Sequence, residues 1–152
     1  MQILWLLLII LSDQGLKYWI SHNLLMGERQ EFIPGFMQLT YVTNKGGAWS
    51  LFSGHINVLI LLSVVVILYL TYLMWQVKED KAQRLIYILI LGGAIGNLID
   101  RLFLGYVVDM FELTLFNFPV FNLADTAICI GVGFMMIQVL FDKNTSSERN
   151  KS

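Results

Sequence analysis

The sequence predicts an α-helical integral membrane protein, with four transmembrane helices and a small extracytoplasmic β segment between helices 1 and 2. Three observations predict it. Of the 152 residues, 57% are hydrophobic and 14% charged, whereas a soluble domain has about 25% charged residues. The mean hydropathy is +0.66, and the apolar residues gather in four stretches of about 20, the length a helix needs to cross a roughly 30 Å hydrocarbon core. The basic residues are also divided unequally between the two ends of those stretches.

The first span, residues 2–20, is apolar to Leu11 and then meets Ser12, Asp13, Gln14 and Lys17. Read as a cleaved signal peptide it would need a basic leading region and small residues before the cut. Nothing basic precedes Lys17 and no such cut site follows, so a retained span is expected. Residues 21–55 are too long for a simple connector. Pro34-Gly35, the β-prone MQLTYVT and the turn-like NKGG read as a small hairpin or sheet on the outer membrane surface. The second span, residues 56–75, has no charge at all, and the third, residues 85–104, ends in Asn97, Asp100 and Arg101. The β-prone YVVDMFELTLFNFPV leads to the fourth span, residues 121–141, which is apolar apart from Asn122, Asp125 and Gln138. Residues 1–141 thus form one membrane domain, and the polar tail 142–152 is expected to be disordered.

Four spans place both termini on one side. Lys78, Lys81, Arg84, Lys143, Arg149 and Lys151 lie on that side, against Arg29 and Lys45 on the other. By the positive-inside rule the termini are cytoplasmic. With that orientation, Asp13, Lys17, Asn97, Asp100, Arg101, Asn122 and Asp125 all fall in one layer of the outer leaflet. Asn97, Asp100 and Arg101 share a helix face at i, i+3 and i+4. Gly93 and Gly96 continue that face and permit another helix to approach closely. Asp13 precedes Lys17 by four residues, the favourable order for an intrahelical pair. Intramembrane charges cost at least about 2.5–3.5 kcal/mol each and usually face a cavity or a partner.

Bland readings exist for each residue. Lys17 and Arg101 can snorkel to the interface. Asn122 and Asp125 approximate a capping box at a helix start. Asp109 can be a solvated loop acid. Shared depth is what favours a functional polar cavity.

Composition excludes several chemistries. A net charge of −1 gives no basic surface for nucleic acid. The single Cys129 precludes an intrachain disulfide, and with only His22 and His55 no zinc site of the usual ligands is expected. No G-x-S-x-G elbow is present for a serine nucleophile, and Cys129, amid apolar neighbours, reads as a packed core thiol. Carboxylates remain in excess. Two held close share a proton, so that one serves as base on a water while the other serves as acid. This needs neither metal nor cofactor. Asp13 and Asp100 have basic neighbours in sequence and read as ionised and structural. Asp109 and Asp125 have none, which ranks them first as a dyad and leaves pairs containing Glu112 open.

Five blocks occur in one order: DQGLK at 13–17, NKGGAWS at 44–50, GGAIGNLIDR at 92–101, VVD at 107–109 and FPVFNLAD at 118–125. Together, on four spans, they resemble the bacterial lipoprotein signal peptidases (signal peptidase II), inner-membrane aspartyl peptidases. The resemblance implies cleavage of the signal peptide from a prolipoprotein just before its diacylglyceryl-modified cysteine. It implies Asp109 and Asp125 as the catalytic pair, and Asn44, Asn97, Arg101 and Asn122 as residues that line or support the site. Asp13, Lys17 and Asp100 also match family positions. Lys45, Gly47 and Trp49 depart from the family's usual second block, and Met110 stands where phenylalanine is usual; these bear on substrate contact rather than on the acids. Trp49 and Phe52 are expected near Asn44, covering the site. The implied partners are lipid-modified prolipoproteins and membrane lipids, and a monomer suffices for the chemistry. A small proton-coupled transporter with buried carboxylates is the alternative, although transporter sites lie near the midplane. A scaffold subunit, its polar cluster serving as helix glue, is a third class.

Overall fold

The computed structural model describes residues 2–47, 51–77 and 80–149. Helices α1 (Gln2–Asn23), α2 (Ile56–Gln76), α3 (Lys81–Phe103) and α4 (Leu123–Arg149) are joined by strands β1 (Arg29–Ile33), β2 (Met37–Asn44) and β3 (Val107–Leu113). All four helices are long and apolar enough to cross a membrane.

The helix ends follow local chemistry. The carboxylate of Asp80 accepts the Ala82 and Gln83 N–H groups at 2.9 and 3.0 Å. That cap starts α3 at Lys81 rather than at Leu85. At its other end Gly105 takes a left-handed φ of 80° and lets the chain turn into β3. The fourth helix starts at Leu123 rather than Phe121, because Phe121 exchanges backbone hydrogen bonds with Phe111 of β3 at 2.8 and 3.1 Å. It continues to Arg149, so most of the tail expected to be disordered is helical. Extending a formed helix adds one hydrogen bond per residue without a new nucleation cost.

The expected hairpin is β1–β2, closed by a turn in which Phe36 N–H donates to Ile33 O at 3.0 Å. Pro34 and a left-handed Gly35 suit the two central positions of that turn. The sheet is larger than the segment between helices 1 and 2: β3 joins it antiparallel to β2, giving the order β1-β2-β3. The register sets Val42 opposite Asp109 and Asn44 opposite Val107.

Helix α3 lies at the centre and packs against α1, α2 and α4. Beside α1 it runs in the same direction, Gly92 against Ile9 and Gly96 against Asp13. Against α4 it runs in the opposite direction, Gly93 on Ala124 and Ile128, with Gly131 on Ile86 and Ile90. The two glycines that the sequence marks for close approach therefore do so, and a Cβ on Gly93 would collide with the Ala124 carbonyl oxygen. Away from the sheet, Leu70, Ile86, Tyr87, Ile90 and Leu91 form one apolar cluster. Where α1 meets the sheet, Ile20, Leu24, Val108 and Met110 form another. Large apolar side chains such as Leu61, Leu68 and Phe134 are exposed on the outer faces of the helices, as lipid contact requires.

Candidate active site

The polar residues of α1, α3, β3 and α4 meet where the helix ends join the sheet. Alternation along β3 sorts its side chains. Val108 and Met110 enter the apolar cluster beneath the sheet, while Val107 and Asp109 line a cavity of about 870 Å³. Asp125 lines the same cavity from α4, with Asn44, Asn97 and Arg101 around it.

Three asparagines hold the two acids. Asn44 Nδ2 donates to Asp109 Oδ2 at 3.0 Å, and its own Oδ1 accepts the Gly46 N–H at 2.9 Å. Asn122 Nδ2 donates to Asp109 Oδ1 at 2.7 Å, and Asn97 Nδ2 donates to Asp125 Oδ1 at 2.7 Å. Asn122 and Asp125 also form the expected reciprocal cap. Asp125 N–H donates to Asn122 Oδ1 at 2.8 Å, and Asn122 N–H donates to Asp125 Oδ2 at 3.3 Å. The cap aims a carboxylate at the start of α4, where the helix dipole favours it. Asp109 is 2% exposed. Burial, and then the neighbouring Asp125 charge, push its carboxyl up to about 7 against the hydrogen bonds of Asn44 and Asn122.

Behind the acids, Lys17 does not snorkel: it is 3% exposed and lies between two carboxylates. Its Nζ is 2.8 Å from Asp13 Oδ2, as the sequence spacing implies, and 3.1 Å from Asp100 Oδ2. The partner of Asp100 is thus Lys17, not its sequence neighbour Arg101, since successive helix positions point about 100° apart. Arg101 turns to the cavity. Its Nη1 and Nη2 donate at 3.4 Å to the carbonyls of Asn97 and Gly46, and its Nε is buried with no hydrogen-bond partner in the protein.

Glu112 is on the other face of β3, three residues on from Asp109. It accepts from Arg29 Nε at 2.7 Å and from Gln38 Nε2 at 2.8 Å, and Arg29 holds its carboxyl below the usual range. It is not among the residues lining the cavity, so the pairs that include it lose their geometric basis. Cys129 differs from expectation: it is exposed, one turn beyond Asp125, and lines the cavity instead of packing in a core. Apolar neighbours in sequence do not imply burial in a helix whose outer face meets lipid. Of the departing residues, Met110 is fully buried beneath the sheet while Lys45 and Gly47 line the cavity. Trp49 lies outside the described residues; Phe52 is exposed.

Sequence reasoning gives no role to Gln14. Its Nε2 donates to Asp100 Oδ1 at 2.9 Å and to Gly96 O at 3.1 Å, locking α1 to α3. Its one sequence signal is an amide beside Asp13 in an apolar helix. Among the described residues, no three His, Cys, Asp or Glu side chains converge as metal ligands would.

The chain is similar to known proteins over nearly its whole length. A family model described as signal peptidase (SPase) II matches residues 5–141. The lipoprotein signal peptidase of Latilactobacillus sakei is 43% identical over 145 residues, covering 93% of this chain and 95% of that protein. That of Enterococcus faecalis is 40% identical, covering 93% and 88%. A solved structure described as a bacterial membrane enzyme superposes with a TM-score of 0.89 at 31% identity, covering 95% of this chain and 90% of that one. Sequence blocks, four-helix architecture and these likenesses agree: the chain belongs to the signal peptidase II family and is a membrane protease.

Proposed function

We propose that the chain removes the signal peptide from diacylglyceryl-modified prolipoproteins, cutting on the N-terminal side of the lipid-modified cysteine. Asp109 and Asp125 are the catalytic pair. The observation that carries this reading is the convergence of these two carboxylates on one cavity, each oriented by asparagine amides from other elements. The names of the relatives support the substrate class.

The pair shares one proton. The ionised carboxylate takes a proton from water as its oxygen attacks the scissile carbonyl carbon. The protonated carboxyl gives its proton to the carbonyl oxygen. The tetrahedral diol then collapses, the C–N bond breaks, and a proton passes to the departing cysteine amine. Burial and the neighbouring Asp125 charge raise Asp109 to about 7, which keeps a proton available to the pair near neutral pH. Arg101, which lines the cavity, offers a positive charge for the developing oxyanion or a substrate carbonyl. The cavity wall also presents Val42, Leu113, Phe118, Ile128 and Ile130, an apolar surface suited to a signal helix or diacyl chains.

In this reading the termini are cytoplasmic and the two acids lie at the outer leaflet, where a bilayer-held substrate arrives without extraction; the unequal distribution of basic residues supports it. Residues 1–141 act as one peptidase domain, and the constellation is complete within one copy of the chain. The transporter alternative is disfavoured by membership of a protease family and by the place of Asp109 on a strand outside the helices. The test is cleavage of a lipid-modified prolipoprotein by the purified chain in detergent. Asp109→Asn and Asp125→Asn should each abolish release of the signal peptide and leave substrate binding intact. Turnover in either variant removes that acid from the mechanism.

A further inference from the structure

The buried ammonium of Lys17 sits behind the acids, not among the groups that face the cavity. All three of its donor positions are used: Asp13 Oδ2 at 2.8 Å, Asp100 Oδ2 at 3.1 Å and Asn97 Oδ1 at 3.0 Å. Each of the two carboxylates then accepts one backbone N–H. Asp13 Oδ1 takes that of Ala124 at 2.9 Å, and Asp100 Oδ2 takes that of Val108 at 3.0 Å. Ala124 immediately precedes Asp125, and Val108 immediately precedes Asp109. The two carboxylates that flank one lysine thus hold the backbone N–H of the residue immediately before each catalytic position.

The third contact has a consequence of its own. An ammonium only donates, so it fixes Asn97 Oδ1 toward itself and leaves Nδ2 to point at Asp125. Asn97 Oδ1 also accepts from Asn122 Nδ2, whose amide reaches Asp109. With Oδ1 and Nδ2 exchanged, Asn97 would oppose a donor to Lys17 and present an acceptor to a carboxylate.

We propose that Lys17 is a positioning residue. Acting through Asp13 and Asp100 on the backbone, and through Asn97 on the side chains, it sets the separation and orientation of Asp109 and Asp125. The proposal rests on those two acids being catalytic. It assigns to the Asp13–Lys17–Asp100 triad an effect on the chemical step and not on substrate affinity, because none of the three lines the cavity. Misplacement by about 1 Å suffices to cost on the order of 100-fold in rate.

The experiment uses the full chain in detergent and a diacylglyceryl-modified prolipoprotein, with kcat and KM taken per folded molecule. Lys17→Met strands two buried carboxylates and is prone to unfold the chain, so the deciding pair is Asp100→Ala and Asp100→Asn. Alanine removes the acceptor for Val108 N–H; asparagine keeps an oxygen there. Asp100→Ala should lower kcat about 10- to 100-fold with KM within about twofold, and Asp100→Asn should restore most of that loss. Asp13→Ala and Asp13→Asn should repeat the pattern through Ala124. Leu70→Ala, in the apolar cluster away from the sheet, should lower thermal stability with kcat unchanged.

An unchanged kcat in Asp100→Ala, a loss confined to KM, or equal impairment of the alanine and asparagine variants would overturn the proposal. So would failure of both alanine variants to fold, which makes the triad purely structural. Cleavage that persists in Asp109→Asn defeats the underlying functional reading. Cleavage abolished there but untouched in Asp100→Ala defeats only the positioning role.

Discussion

Helices α2 and α3 are packed neighbours of similar length, 21 and 23 residues, yet they use their apolar character in opposite ways. Helix α2 has no charged residue and buries only Leu59 and Leu70. Helix α3 carries Asp100, Arg101 and two charges at its start, and buries ten residues that include Gly92, Gly93, Gly96, Asn97 and Asp100. In water the more apolar helix would be the inner one. In a bilayer, lipid chains satisfy leucine as well as another leucine does, so apolarity no longer selects the interior. What must be inside is what lipid cannot satisfy: amides, charges and glycines whose value is close backbone contact. The most apolar helix is therefore the outermost, and the polar, glycine-rich one organises the site.

The most severe break of this comparison is at the polar side. Asp109→Asn or Asp125→Asn should lower cleavage by about 10³-fold or more, since each removes one half of the proposed acid–base pair. The size-exclusion profile should stay near that of the unsubstituted chain, as should the thermal midpoint at about pH 4, where Asp109 is protonated. A next test exchanges bulk between the helices. Gly93→Leu should prevent stable folding, because even a Cβ there collides with the Ala124 carbonyl. Val65→Leu, on the exposed face of α2, should leave the thermal midpoint within a degree or two. Equal sensitivity at the two positions would show that α2 has an undescribed partner and that the contrast between the helices is wrong.

A pH titration sharpens the same contrast on a single strand, where Asp109 and Glu112 have opposite fates. Burial raises Asp109 to about 7 from the usual 3.8. Its protonated form is the one the fold favours. Its contribution to stability is therefore full below pH 3.8 and lost as pH rises through about 7. Cleavage should fall over the same upper range as the shared proton leaves. Asp109→Asn should flatten that part of the stability profile, measured as thermal midpoint between about pH 4 and pH 8. The smallest effect belongs to Glu112→Gln. It removes an exposed, solvent-screened ion pair with Arg29, so cleavage should be unchanged and the midpoint nearly so. A large loss of activity there would return Glu112 to the site.

How far these outcomes were legible in sequence depends on the range of the interaction. The Asn122–Asp125 cap and the Asp13–Lys17 pair are contacts three and four residues apart, and both formed as their spacing implies. The glycine face of α3 was legible because a helix has one period. Asp100 has a basic sequence neighbour in Arg101, but its ion-pair partner is Lys17, 83 residues away, because adjacency in sequence is not adjacency on a helix. The apolar neighbours of Cys129 point to a core because sequence alone does not tell which face of α4 meets lipid and which meets the cavity. Glu112 stayed a rival of Asp109 until strand pairing turned the two to opposite faces.

By itself the sequence determined four membrane-length helices, a β-prone segment between the first two and the identity of the polar residues, because length, hydropathy and local spacing act along the chain. Only the tertiary structure decided that β3 completes the sheet, that Lys17 joins two carboxylates from different helices, and that Asp109 and Asp125 face one cavity. Those arrangements depend on which surfaces pack together. In a chain where lipid accepts any apolar face, the few polar groups and glycines make that choice.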